Sequence, residues 1–337
     1  MTQRFIIILL FLSILQLWGC KQPAAYISNE GMIYGTTYHI TYESPDGQDL
    51  QNGIEAEMEK LDYSMSTFKP NSTLSKINQN RDTVPDEYFL TVYNKAVEVS
   101  EATNGAFDIT VAPMVNAWGF GFKNKQQITP ELIDSLKQLV GFKKIKLENG
   151  RIVKGHPGTM LDCSAIAKGF ACDLAGQYLK KKGCKNYMVE IGGEVVALGK
   201  NKKGNYWRIG ISRPTDDVFA SQQNLKAIVE LKDKALATSG NYRNFYVEGG
   251  KKYAHTIDPK TGYPVQHSLL SSTVLANDCM TADAFATGFM VLGIEKSIEI
   301  ANSRDDLDVY FIYADENGGY KTYVSDGFQP WVTDEFE

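Results

Sequence analysis

Asp283 and Thr287 stand four residues apart in Cys279-Met-Thr-Ala-Asp-Ala-Phe-Ala-Thr287, a helix-forming run. Residues at i and i+4 project from one helix face, so this carboxylate and hydroxyl lie side by side. A pair of hard oxygens suits Mg²⁺, which takes one or two carboxylates and completes its shell with water and substrate phosphate. Many helices carry such a pair by chance, and its weight comes from the segments that accompany it.

Residues 104–121 join a strand-like run to glycines and aromatics. Leu161-Asp-Cys-Ser-Ala-Ile-Ala-Lys-Gly-Phe170 sets Asp162 and Ser164 at a helix start, where backbone N–H groups and the helix dipole favour an anion such as pyrophosphate. The same two residues also serve as ordinary N-caps. Lys168, one turn inside, is either a solvated charge or a phosphate partner. Glu190-Ile-Gly-Gly-Glu194 ends a strand in two glycines, which admit a ligand close to the backbone or simply turn a hairpin. Thr238-Ser-Gly-Asn-Tyr-Arg-Asn244 reads as a donor-rich loop. In His255-Thr-Ile-Asp-Pro-Lys-Thr-Gly-Tyr-Pro264, Asp258-Pro259 and Thr261-Gly262 are turn chemistry, which leaves His255 without a local structural reason.

The elements that must position these residues alternate between helical and extended patterns. Residues 34–42 are β-branched and aromatic and predict a strand; 49–61 carry helical periodicity. Pro85-Asp86-Glu87 opens a helix that Asn104-Gly105 closes, and Thr129-Pro130 starts another that ends at Gly141. A hairpin is expected at Asn149-Gly150, then a helix over 165–182. Residues 187–274 read as mostly β, in seven short strands. Two helices (279–292 and 294–302) and two closing strands (309–313 and 320–324) follow. Hairpin-rich β stretches with interspersed helices predict an α+β fold of mixed, largely antiparallel sheets with flanking helices. No GxGxxG follows a strand, so no Rossmann unit is expected.

At the amino terminus Arg4 precedes a short apolar run, 5–18, below the roughly 20 residues of a comfortable transmembrane span. Leu17-Trp18-Gly19-Cys20 resembles a bacterial lipobox. Residues 1–19 therefore read as a lipoprotein signal peptide, Cys20 as the lipidation site, 20–30 as a tether and 31–337 as a single domain or two closely packed lobes. A signal-anchor helix is the alternative. The location expected is a membrane-anchored lipoprotein facing the periplasm. Formal net charge is −5, with 43% hydrophobic and 22% charged residues and no basic run, which points away from a nucleic-acid partner. Cys163, Cys172, Cys184 and Cys279 lack CxxC spacing and are expected to be buried small side chains.

Taken together, the segments resemble the ApbE family of FAD:protein FMN transferases. Phe107-Asp-Ile-Thr-Val, Trp118-Gly-Phe-Gly121, Ala165-Ile-Ala-Lys-Gly169, Ile191-Gly-Gly-Glu194, Ala237-Thr-Ser-Gly240, His255-Thr-Ile-Asp-Pro259 and Ala282-Asp283 with Thr287 occur in the family order. Tyr34-Gly-Thr36 and Ser66-Thr-Phe68 match weaker family segments. The resemblance implies an ApbE-like, T-fold-related architecture and transfer of FMN from FAD to a Ser or Thr hydroxyl of a partner protein, with release of AMP and dependence on Mg²⁺. It implies Asp283, Thr287 and the carbonyl of Ala165 as metal ligands. FAD contacts would come from Tyr34, Phe68, Ala106, Phe107, Asp108, Asp162, Lys168 and Ile257. Asn241 stands where Asp is frequent in the family, and Lys168 where some members carry Glu.

His255 is the expected general base, since its reference pKa of about 6.5 lies near neutral pH; Asp162 and Asp258 are rivals. Expected partners are exported or membrane-bound redox proteins with a Ser/Thr-Gly-Ala-Thr-like acceptor segment, a tripeptide core this chain lacks. Two other functions remain open. A pyrophosphatase would cleave FAD to FMN and AMP with water, and a lipoprotein could hold FAD without catalysis.

Overall fold

The computed structural model describes residues 23–121, 124–214, 225–241, 245–248, 251–316 and 319–336. Cys20 and the signal segment lie outside the described residues. The strands are β1 (Ala25–Ile33), β2 (Thr36–Ser44), β3 (Ile145–Glu148), β4 (Arg151–Lys154), β5 (Tyr187–Ile191), β6 (Glu194–Leu198), β7 (Trp207–Ser212) and β8 (Leu225–Leu231). They continue with β9 (Lys234–Gly240), β10 (Phe245–Glu248), β11 (Lys251–Ala254), β12 (Leu269–Ala276), β13 (Asp308–Ala314), β14 (Tyr320–Val324) and β15 (Val332–Glu335). Eight of them form an antiparallel sheet in the order β1-β2-β5-β6-β9-β12-β13-β14, and β15-β8-β7 form a second sheet.

Side chains of the large sheet alternate between two cores, as a strand period of two requires. Ala235, Ala237, Val274, Val309 and Phe311 face the helical layer. Leu236, Leu275, Tyr310 and Ile312 face the small sheet, against Trp207, Val229 and Phe328. A sheet covered on both faces leaves little freedom for its strand ends, and those ends build the site.

The helical layer is dominated by Ser164–Lys181 and Cys279–Leu292, which pack on each other and on β5, β6, β9 and β12. They come close at Gly169, where a Cβ would stand 2.3 Å from the carbonyl oxygen of Cys279. A satellite core joins Met114, Trp118, Leu136 and Ile257, and the Trp118 indole donates to the Gly262 carbonyl at 2.8 Å.

Several sequence expectations are corrected. The tether reading of 20–30 does not hold over 25–30, because Ala25–Ile33 is strand β1, paired along its length with β2. Tyr34 and Gly35 do not begin a strand. With φ of 52° and 76° they form the two-residue turn of that hairpin. The strand-like run in 104–121 folds instead as turns and a short helix, Ala112–Ala117, because Pro113 suits a helix start and supplies no ladder N–H. Residues 238–240 of the expected loop belong to β9, and 242–244 lie outside the described residues. The Asn149-Gly150 hairpin forms as expected, with both φ angles positive.

One side chain ties the approach to the site. Asn78 donates to the Leu161 carbonyl at 2.9 Å and accepts from the Leu161 N–H at 2.7 Å, fixing the strap just before Asp162. Leu161 is fully buried, so neither group has water to turn to. Asn78→Ala is expected to destabilise the fold by about 1–3 kcal/mol, the cost of unsatisfied buried groups. Chemical denaturation measures this, and an unchanged midpoint would refute it.

Candidate active site

The Ser164 helix begins and the Cys279 helix passes at one end of the large sheet, beside the β5–β6 turn and the His255 segment. Together they enclose a cleft of about 880 Å³, within the range of cofactor sites. Asp283, Thr287, Ala165, Lys168, Asp162 and His255 all line it. So do Ala106, Phe107, Asp108 and Ile257.

Asp283 is buried at 2% exposure, and its Oδ2 accepts from the Gly169 N–H at 3.0 Å. In an α-helix that N–H points at the carbonyl four residues back, here Ala165. The carboxylate of Asp283 and the carbonyl of Ala165 therefore both approach the Gly169 N–H, and both residues line the cleft. Thr287, one turn along from Asp283, shares a 3.1 Å hydrogen bond with the Ser239 hydroxyl at the end of β9. One carboxylate, one carbonyl and one hydroxyl form an all-oxygen set suited to a hard cation. Among the described residues no three His, Cys, Asp or Glu side chains gather as a metal cluster.

Lys168 pairs with Glu194, Nζ to Oε1 at 2.5 Å. Burial pulls the ammonium down, but the Asp283 and Glu194 carboxylates outweigh it and raise the Lys168 pKa. Burial raises Glu194 to about 7, against the lowering pull of Lys168. Its second oxygen, Oε2, is buried without a hydrogen-bond partner, an unfilled acceptor inside the cleft wall. Asp283 is likewise raised by burial, with Lys168 opposing. Lys168 thus sits between two carboxylates whose burial favours their protonated forms.

Asp162 is not the N-cap, which is Cys163. Asp162 lines the cleft, and its Oδ1 accepts from the Ser164 N–H at 2.8 Å as the helix begins. Asp108 is engaged elsewhere: Oδ1 accepts from the Thr110 N–H and hydroxyl, and Oδ2 from the Phe142 N–H at 2.8 Å. Its carboxylate holds a loop, while the residue still lines the cleft. His255 meets the Phe120 ring edge-on at 6.4 Å between centroids. Asp258 accepts from the Lys260 N–H in a turn and does not line the cleft.

Tyr34 and Phe68 are not brought to it. The Tyr34 hydroxyl donates to the Met58 carbonyl at 2.5 Å, and Phe68 is 80% exposed away from the lining. Tyr34's neighbours Gly35 and Thr36 line the cleft in its place. Glu194 and Ser239 received no role from the sequence, although both lie in the motifs quoted. The lining also includes Gly210 and Ser212 of β7, which no sequence pattern marks. The four described cysteines are buried and unpaired, as expected.

An antiparallel sheet packed on both faces, with a cleft at a helix start, defines an α+β architecture distinct from the Rossmann class. Residues 34–311 match the model of the ApbE family. An FAD:protein FMN transferase of Haemophilus influenzae is 40% identical over 331 residues, covering 94% of each chain. One from Vibrio cholerae is 38% identical over 330 residues, covering 95% of this chain and 97% of that one. The solved flavin transferase ApbE of Vibrio cholerae superposes with a TM-score of 0.82 at 38% identity, covering 92% of this chain and all of that one. The flavinyl transferase ApbE of Pseudomonas stutzeri, in its apo form, gives 0.81 at 30% identity, with 91% and 97% covered. The chain belongs to the ApbE family.

The raised Glu194 pKa has a pH signature. The folded protein holds this proton more tightly than the unfolded chain, so the stability it contributes in acid is lost as pH rises from about 4.5 to about 7. Glu194→Gln is expected to flatten that decline in denaturation midpoints across the same window. A variant as steep as the parent would exclude Glu194 as its source.

Proposed function

We propose that this chain transfers FMN from FAD to a Ser or Thr hydroxyl of a partner protein, forming a phosphoester and releasing AMP. The observation that carries the reading is the convergence of Asp283, Thr287 and Ala165 on one cleft, with the Asp283 carboxylate held against the Ser164 helix through the Gly169 N–H. The activity named for the Haemophilus and Vibrio relatives supports it.

In this reading Asp283, Thr287 and the Ala165 carbonyl hold Mg²⁺. When bound, the ion supplies neutralisation of the charge that develops on a pyrophosphate as its P–O bond breaks. The N–H groups opening the Ser164 helix attract the pyrophosphate, and Lys168 adds a positive charge at the same end. The acceptor hydroxyl attacks the FMN phosphorus, a P–O bond forms, and the bond to the AMP oxygen breaks. In this reading His255, which lines the cleft, takes the hydroxyl proton as general base. The acceptor is an exported or membrane-bound redox protein presenting a Ser/Thr-Gly-Ala-Thr-like loop. The enzyme itself is tethered by lipid at Cys20 and faces the periplasm, which raises its encounter frequency with such substrates.

The acceptor domain, mixed with the enzyme, FAD and Mg²⁺, is expected to gain one FMN mass, lost when its target hydroxyl is replaced. Asp283→Ala should abolish that gain while the circular dichroism stays native, and Thr287→Ala should weaken it less, since a neutral hydroxyl contributes less than a carboxylate. Free FMN released without an adduct would favour the pyrophosphatase instead. Cys20→Ser is expected to leave the enzyme unprocessed and out of the lipid-anchored membrane fraction; a processed, membrane-bound variant would remove the anchor from the proposal.

A further inference from the structure

The Cys279 helix starts inside the protein, with Cys279, Met280 and Thr281 all buried. The first N–H groups of a helix have no partner within it, and buried ones cannot use water. Here each is satisfied by a carboxylate. Asp278, the N-cap, accepts from the Thr281 N–H at 2.8 Å. Asp173 accepts from the other two, Cys279 N–H to Oδ1 and Met280 N–H to Oδ2, both at 2.9 Å.

Asp173 is not on that helix. It projects from the Ser164 helix, one turn beyond Gly169. The two helices therefore exchange carboxylates: Asp173 of the first accepts from the backbone of the second, and Asp283 of the second accepts from Gly169 of the first. Between these ties sits the Gly169 contact with the Cys279 carbonyl, where no side chain fits. The helices are fixed against sliding and against rotation at the point where their oxygens face the cleft.

We infer that Asp173 is a positioning residue for the cation site: by gripping the first turn of the Cys279 helix, it sets the distance between the Asp283 carboxylate and the Ala165 carbonyl. The inference rests on the metal reading proposed above. Asp173 itself does not line the cleft, so it acts through Asp283 and not on substrate. Two oxygens serving two adjacent N–H groups make the grip specific in geometry. An amide in its place offers one acceptor and turns an NH₂ group toward the other N–H.

The test is Mn²⁺ titrated into the purified full chain, followed by loss of the free-ion electron paramagnetic resonance signal. Asp173→Asn should weaken Mn²⁺ binding by about 10–100-fold, as loss of an outer partner of a ligand does. Asp278→Ala removes a cap from the same helix without touching the cross-helix tie. It should lower the melting temperature yet leave Mn²⁺ affinity unchanged. If Asp173→Asn does not fold, Asp173→Ser is the second variant, small enough to avoid a clash and expected to weaken binding as much. Parental affinity in a folded Asp173 variant would overturn the inference, as would an equal loss in Asp278→Ala. Absence of saturable Mn²⁺ binding by the parent would overturn it too. FMN transfer to an acceptor, read separately by mass, judges the activity on its own terms.

Discussion

The site depends on the approach of two helices at Gly169. There the backbones come close enough for a carboxylate of one helix to reach an N–H of the other. That single hydrogen bond does two things. It orients a carboxylate that burial would otherwise leave without a donor on that oxygen, and it aims Asp283 at the helix start where Ala165, Lys168 and Asp162 gather. Any side chain at residue 169 would push the helices apart and take the oxygens with them. The two-sided sheet beneath supplies the rigidity that makes this spacing hold, since its strands pack against both layers.

Electrostatics then decide what the cleft accepts. Asp283 and Glu194 surround Lys168, and the orphaned Glu194 oxygen adds an acceptor with no internal donor. Buried carboxylates without full compensation are costly, and a fold retains them where a ligand completes the arrangement. In the proposed reading a cation with a phosphate group would do so in both signs at once: the metal would meet Asp283, and the phosphate would meet the lysine and the helix N–H groups.

Much of this was legible in the amino-acid sequence because it rests on local rules. The i, i+4 relation of Asp283 and Thr287 needs only helical geometry, and the Asn149-Gly150 hairpin only turn chemistry. Other features depend on partners distant in the chain. Strand β1 reads as polar linker because its stability comes from the β2 ladder and not from its own composition. Strand β9, built of small residues in Ala-Leu-Ala-Thr-Ser-Gly240, lacks the β-branched pattern of a strand and is held by β6 and β12 on either side. Family motifs placed Phe68 and Tyr34 near FAD, yet one is exposed and the other's hydroxyl is bonded inward to Met58. Asp108 matched a motif as well, but three internal bonds account for its carboxylate.

The cleft wall runs from Gly35 to Val291 in sequence, drawing on both sheets and the helical layer. No part of the chain short of that span can form it, so a flavin nucleotide that occupies the cleft binds the finished fold and nothing less. Occupancy then stabilises the whole molecule by mass action, growing with the logarithm of ligand concentration over its dissociation constant. The lifetime of the protein against unfolding and proteolysis is thereby coupled to the supply of its own substrate. Where flavin is scarce, the enzyme with nothing to transfer is also the one most readily cleared.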